Sequence, residues 1–99
     1  MPIPVIFDTD IGSDIDDTWA LVQILKTPEL DVKLIATDRD DTVYRTQLTC
    51  KMLEVANCTH LPVAMGHIQG HVYTNARQEP WVKDYDLDQY PGILHKDGV

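Results

Sequence analysis

Ile3-Pro4-Val5-Ile6-Phe7 runs directly into Asp8-Thr9-Asp10-Ile11-Gly12-Ser13-Asp14-Ile15-Asp16-Asp17, and Thr18 to Lys26 follows. The order of these three pieces decides the fold. The apolar run reads as a buried strand, with Pro2 and Pro4 at its proline-tolerant beginning. Thr18 to Lys26 carries Trp19, Ala20, Val22, Ile24 and Leu25, apolar over much of a helix circumference, which predicts burial on more than one side. Thr27-Pro28 ends that helix, because proline disfavours helical backbone in the residue before it. Five carboxylates within ten residues therefore sit between the carboxyl end of a strand and the start of a helix. That is the crevice where open α/β sheets bind their ligands.

Outward from this turn the pattern repeats. Leu30 to Ala36 alternates and then runs apolar, a second strand, and Thr37 to Thr42 is a polar turn at its carboxyl end. Val43 to Ala56 predicts a second helix, with Leu48, Met52, Val55 and Ala56 as its core stripe. Leu61 to Met65 is a short third strand ending at Gly66. The order βαβαβ predicts an α/β fold, the start of an open, mostly parallel, doubly wound Rossmann-like sheet. From His67 the periodicity stops, and Gln69 to Val99 is expected as a long loop region without strand or helix. Trp81, Tyr85 and Tyr90 are expected to pack that loop onto the sheet, and Asp84 to Asp88 to be solvated.

Crowded acids repel one another, so the turn needs a reason to keep them. A helix amino terminus favours acids in its first turn, and Ser13 or Asp14 is placed to cap it. That accounts for neither Asp8 nor Asp10, which lie at alternate positions at the end of a buried strand and point the same way. A hard cation such as Ca²⁺ or Mg²⁺, which takes oxygen ligands, accounts for both. Gly12 is where the backbone needs an unusual dihedral or a close approach.

The chain has 99 residues, 43% of them hydrophobic, and a formal charge of −8. One small domain is expected. The acidic balance argues against binding a nucleic-acid backbone or an anionic membrane. No apolar stretch approaches the roughly 20 residues of a membrane span. No secretory signal is visible, so a cytoplasmic location is the expectation. Cys50 and Cys58 are then expected to be reduced, structural thiols, and Asn57-Cys58-Thr59 an idle glycosylation triplet. Oligomeric state is open, a homo-oligomer included.

The stretch Ile6 to Leu21, with its ordered aspartates, glycine and apolar flanks, closely resembles the amino-terminal signature of the inosine/uridine-preferring nucleoside hydrolases. Leu34-Ile35-Ala36-Thr37 with Asp41-Thr42, Pro62 to Gly66, and His95-Lys96-Asp97-Gly98-Val99 are similar to later segments of that family. The resemblance implies Ca²⁺-dependent cleavage of the N-glycosidic bond of ribonucleosides to ribose and free base. It implies that Asp10 is a Ca²⁺ ligand and the general base for the attacking water, and that Asp17 is a second ligand. Asp16 would hold a ribose hydroxyl, Asp8 would support the site by hydrogen bonding, and His95 would line the base pocket. Two extra residues after Gly12, relative to the shorter form of the motif, make Asp14 a rival for a metal or ribose role. Where the family has glycine then asparagine this chain has Asp40 then Asp41, so Asp41 would bind a hydroxyl while adding charge that Arg39 offsets. Family members are much longer. Residues 1–99 are therefore expected to be the amino-terminal portion of such a domain, truncated, and to bind Ca²⁺ weakly and turn over poorly if at all.

Two other classes compete. An apolar strand ending Asp8-Thr9-Asp10 also resembles the Mg²⁺-dependent haloacid-dehalogenase-type phosphatases, but that motif leaves Asp14, Asp16 and Asp17 unexplained. An inactive fragment or binding module would keep the signature without the activity. A zinc set of Cys58, His60, His67 and His71 is a weaker signal than ordinary loop histidines.

Overall fold

The computed structural model describes residues 2–68 and 75–96. The elements are β1 (Ile3–Thr9), α1 (Asp16–Leu25), β2 (Leu30–Thr37), α2 (Thr42–Val55), β3 (Val63–Met65), α3 (Glu79–Val82), a single 3-10 turn over Leu87–Gln89, and β4 (Leu94–His95). All three strand pairs are parallel, in the order β1-β2-β3-β4. The expected βαβαβ order and α/β class are those observed. Between Val5 and Ile6 the register against β2 shifts by one residue, from Val32 to Leu34. Leu21 of α1 and Leu48 and Leu53 of α2 pack in one core with Val32, Ile35 and Val63, so both helices lie against the same sheet face. Among the described residues no helix is long and apolar enough to cross a membrane.

Several expectations need correction. The region after His67 does contain regular structure. Leu94 and His95 form β4, which pairs with Val63 and Ala64, and Val63 N donates to Ile93 O at 2.9 Å. A two-residue strand has no periodicity to read, so only the neighbouring strand reveals it. Asp84, Asp86 and Asp88 are exposed as expected, but Asp86 also accepts from Asp88 N at 2.9 Å and starts the 3-10 turn. Tyr85 and Tyr90 do pack this segment inward. Tyr90 is buried and donates to Leu61 O at 3.3 Å, and Tyr85 Oη donates to Glu54 at 2.8 Å. Burial raises the pKa of both phenols.

The expected core stripe of α2 holds at Leu48, fully buried, and fails toward the carboxyl end. Val55 is 73% exposed, Ala56 is exposed and Met52 half-buried. The buried residues also include Thr42, Arg45, Thr46, Thr49 and Leu53. This face is polar because it meets the polar carboxyl ends of the strands. Thr46 and Thr37 share a hydrogen bond of 2.8 Å, and Thr42 donates to Gly66 O at 2.8 Å. Helix α1 likewise is buried on one side only: Leu21 is fully buried while Trp19 is 67% exposed. Cys50 and Cys58 are both free thiols, and burial pushes the Cys50 thiol up to about 12, too high for a reactive thiolate.

Candidate functional site

The acidic turn is fastened at two points before any acid is placed. Ile11 is fully buried among core residues, an anchor worth about 2 kcal/mol. On the other side the Arg45 guanidinium, 1% exposed, donates to Asp10 O at 2.6 Å, Ile11 O at 2.9 Å and Ser13 Oγ at 3.2 Å. Its Nε donates to Arg39 O at 2.9 Å, and Asp40, equally buried, lies 3.6 Å away as counter-ion. One cation thus ties the turn after β1 to the turn after β2. Sequence reasoning passed over Arg45 because it sits in an ordinary helix. The available signal was the polar stripe Thr42, Arg45, Thr46, Thr49, whose helical spacing marks one face.

Gly12 meets the expected requirement: its φ is +120° and its carbonyl accepts from Tyr44 Oη at 2.6 Å. The same hydroxyl accepts from Gln78 N at 3.0 Å, so Tyr44 bridges the turn to the segment before α3. A Cβ at position 12 would sit 2.5 Å from Tyr44 Cε2. Gly12→Ala is therefore expected to cost about 2 kcal/mol or more, from backbone strain and the ring's displacement, read as a lower urea midpoint. Tyr44→Phe keeps the ring and removes the bridge, and is expected to cost about 1–2 kcal/mol, because the Gln78 amide loses this acceptor while Gly12 O keeps Arg77 N as a donor.

Neither Ser13 nor Asp14 caps α1. The residue before the helix is Ile15, with no side-chain cap. Ser13 Oγ is taken by Arg45, and Asp14, largely exposed, lies 3.8 Å from Arg77. Asp10 and Asp17 do come together. The interaction of their carboxyl groups lowers the pKa of Asp10 and raises that of Asp17; the Arg45 and Arg39 charges also lower Asp10 and burial also raises Asp17. Thr9 Oγ1 donates to Asp17 Oδ2 at 2.9 Å, and Arg39 Nη1 donates to Asp10 Oδ2 at 3.4 Å.

Asp10, Asp14, Asp16 and Asp17 line one cleft of about 300 Å³ with Ser13, Arg39, Asp40, Arg45 and Asn75. Asp8 is exposed on β1, opposite Ala36 in register. Asp38, which the sequence did not single out, has a raised pKa, from partial burial and then from the charges of Asp8 and Asp10. Asp41 accepts from Tyr44 N at 3.1 Å and caps α2. His95 lies exposed on β4, paired with Ala64, and does not line the acidic cleft. Among the described residues no three His, Cys, Asp or Glu side chains surround one metal position. His71 of the zinc set, and Asp97 to Val99, lie outside the described residues.

No family model matches the chain, and no solved structure matches it. Over 71 residues it is 37% identical to the pyrimidine-specific ribonucleoside hydrolase RihA of Escherichia coli, as found in strains O1:K1 and O127:H6. The match takes in 70% of this chain and 22% of the relative, so the chain spans about a fifth of the length of the curated relatives it matches. This limited similarity relates the chain to the nucleoside hydrolases.

Proposed function

We propose that this chain is a member of the nucleoside hydrolase family and that the turn after β1 is part of a site that hydrolyses the N-glycosidic bond of a ribonucleoside. One observation carries the proposal: Asp10, in the turn after β1, and Asp17, in the first turn of α1, line one cleft at the carboxyl end of β1. Two carboxylates close together in one cleft suit a hard divalent cation, Ca²⁺, whose charge would offset their mutual repulsion. Asp10 and Asp17 would hold it, and Asp14, turned toward Arg77, would not. When bound, such an ion lowers the pKa of a coordinated water.

The chain's own groups do the rest. Asp10, kept ionised by Asp17, Arg45 and Arg39, takes a proton from the attacking water. Asp16, in the first turn of α1 and lining the same cleft, holds a ribose hydroxyl. Breaking the glycosidic bond builds positive charge on the ribose ring, and the surrounding carboxylates stabilise it. Asp8 supports the site from β1. The similarity to a ribonucleoside hydrolase does not favour the phosphatase alternative.

Ca²⁺ takes about six to eight oxygens, more than Asp10 and Asp17 provide. Calorimetric titration is therefore expected to show weak binding, with Kd on the order of 1 mM, as at low-affinity sites. Release of base from uridine, cytidine and inosine is expected to be slow and abolished by chelator. No Ca²⁺ binding at 10-fold higher concentration than that estimate would remove the metal from the proposal. Base release that survives chelation would remove its role in the reaction.

A further inference from the structure

The carboxyl end of the sheet is edged with buried threonines. Thr9 ends β1 and is 4% exposed, and Thr37, its register partner at the end of β2, is 1% exposed. Thr42 and Thr46 are fully buried on α2. Three of these hydroxyls join α2 to the strand ends: Thr37 and Thr46 bond to each other, and Thr42 donates to Gly66 O. The fourth does something else. Thr9 Oγ1 donates to Asp17 Oδ2 at 2.9 Å, from the strand wall to an acid of the cleft.

The two partners of that bond differ in how firmly they are held. Thr9 is paired with Thr37 in the parallel ladder, and its carbonyl accepts from Asp38 N at 3.1 Å. Its β-branched side chain has few rotamers to choose from. Asp17 has its backbone set by the first turn of α1, but its carboxylate shares one cleft with those of Asp10, Asp14 and Asp16. Like charges this close favour a side chain that swings out into water. Among the described residues, the Thr9 hydroxyl is the hydrogen-bond donor that opposes the swing.

We propose that Thr9 is a positioning residue of the acidic site: its hydroxyl keeps the Asp17 carboxylate in the cleft, with Oδ2 committed to the strand and Oδ1 left for a ligand. The inference rests on the hydrolase reading for the nature of that ligand, Ca²⁺, and not for the contact itself. A hydroxyl suits the task because it donates without bringing a charge. A lysine or arginine at this point would neutralise Asp17 and compete with a cation for it. Arg45 holds the turn of Asp10 through backbone carbonyls, and Thr9 holds Asp17 through its side chain, so each acid has its own fastening. The opposite dependence, in which Asp17 merely satisfies a buried hydroxyl, predicts a change in stability and nothing more.

The test compares Thr9→Val, Thr9→Ser and Thr37→Val in the full 99-residue chain. Thr37→Val removes an equally buried hydroxyl from the neighbouring strand, one bonded to Thr46 and not to an acid. At neutral pH without metal, the three-bond couplings of the Asp17 β-protons are expected to report one rotamer in the parent, Thr9→Ser and Thr37→Val, and averaging in Thr9→Val. Ca²⁺ titration followed by amide chemical shifts is expected to give a Kd about tenfold weaker in Thr9→Val and within about threefold of the parent in the other two, as for loss of a partner of a metal ligand. Urea midpoints are expected to fall in both valine variants, so stability does not separate them. Thr9→Ala, which adds no methyl against the carboxylate, takes the place of Thr9→Val if that variant does not fold. A single Asp17 rotamer retained without the hydroxyl overturns the proposal. So does an equal loss of Ca²⁺ affinity in Thr37→Val, or a failure of Thr9→Ser to restore it. If the parent binds no Ca²⁺, the hydrolase reading loses its metal, and the couplings alone decide for or against Thr9.

Discussion

Arg45→Met is expected to remove about 3–5 kcal/mol of folding stability, enough to leave much of a domain this small unfolded at 25 °C. The side chain is 1% exposed, and the substitution leaves Asp40, 3% exposed, without its buried counter-ion. It also leaves the carbonyls of Asp10, Ile11 and Arg39 and the hydroxyl of Ser13 without that donor. Methionine fills the volume but donates nothing, so the loss is one of satisfied polar groups rather than of packing. Arg45→Lys should recover only part of it. An ammonium is a point charge on a flexible stem and cannot reach the carbonyls on both turns at once, as the guanidinium fork does. Urea unfolding followed by circular dichroism measures both. A cost below about 1 kcal/mol for Arg45→Met would show that the two turns hold their shape without it.

Asp10→Asn is expected to act in the opposite direction on stability and to abolish function. In metal-free buffer an amide in place of one carboxylate relieves repulsion in the turn, so the variant should be as stable as the parent or up to about 1 kcal/mol more so. Ca²⁺-dependent release of base should fall by at least about a hundredfold, the usual contribution of a general base. Ca²⁺ should raise the melting temperature of the parent and leave that of the variant unchanged. The pH dependence has a definite sign. The Asp17 pKa is raised, first by its interaction with Asp10 and then by burial, and Ca²⁺ binds the ionised carboxylate, so affinity should fall as pH drops toward this raised value and level off above it. With the metal absent, a carboxyl whose pKa is higher folded than unfolded adds stability below the unfolded value. It loses that contribution as pH rises through the folded one. Calorimetry in buffers of different ionisation heat would count the protons released. Equal melting shifts in parent and variant would take Asp10 out of the metal shell.

The two halves of the fold differed in how legible they were. β1, β2, β3, α1 and α2 each announced themselves through periodicity and breakers, and Gly12 marked the one place where the backbone leaves the usual dihedral region. β4 and α3 did not, because Leu94–His95 and Glu79–Val82 are shorter than the period that would reveal them. The α2 stripe was misassigned toward its carboxyl end for another reason. Leu48 is buried as its spacing predicts, but Val55 and Ala56 are exposed at the same spacing, because burial depends on what faces the helix. Its neighbours are Thr37, Gly66 and the acidic turn, whose free carbonyls and hydroxyls draw in Thr42, Arg45 and Thr46.

The sequence alone determined the chemistry available to this protein: oxygen ligands crowded at a strand-to-helix turn, an acidic chain, and a parallel α/β order. These follow from residue type and local spacing, which are properties of the chain. Only the tertiary structure decided which acids meet. It joins Asp10 to Asp17, turns Asp14 toward Arg77 and keeps Asp41 on the end of α2. The turn that carries Asp10 is held by Arg45, 35 positions away in the chain, because a buried guanidinium must satisfy its donors wherever carbonyls are found.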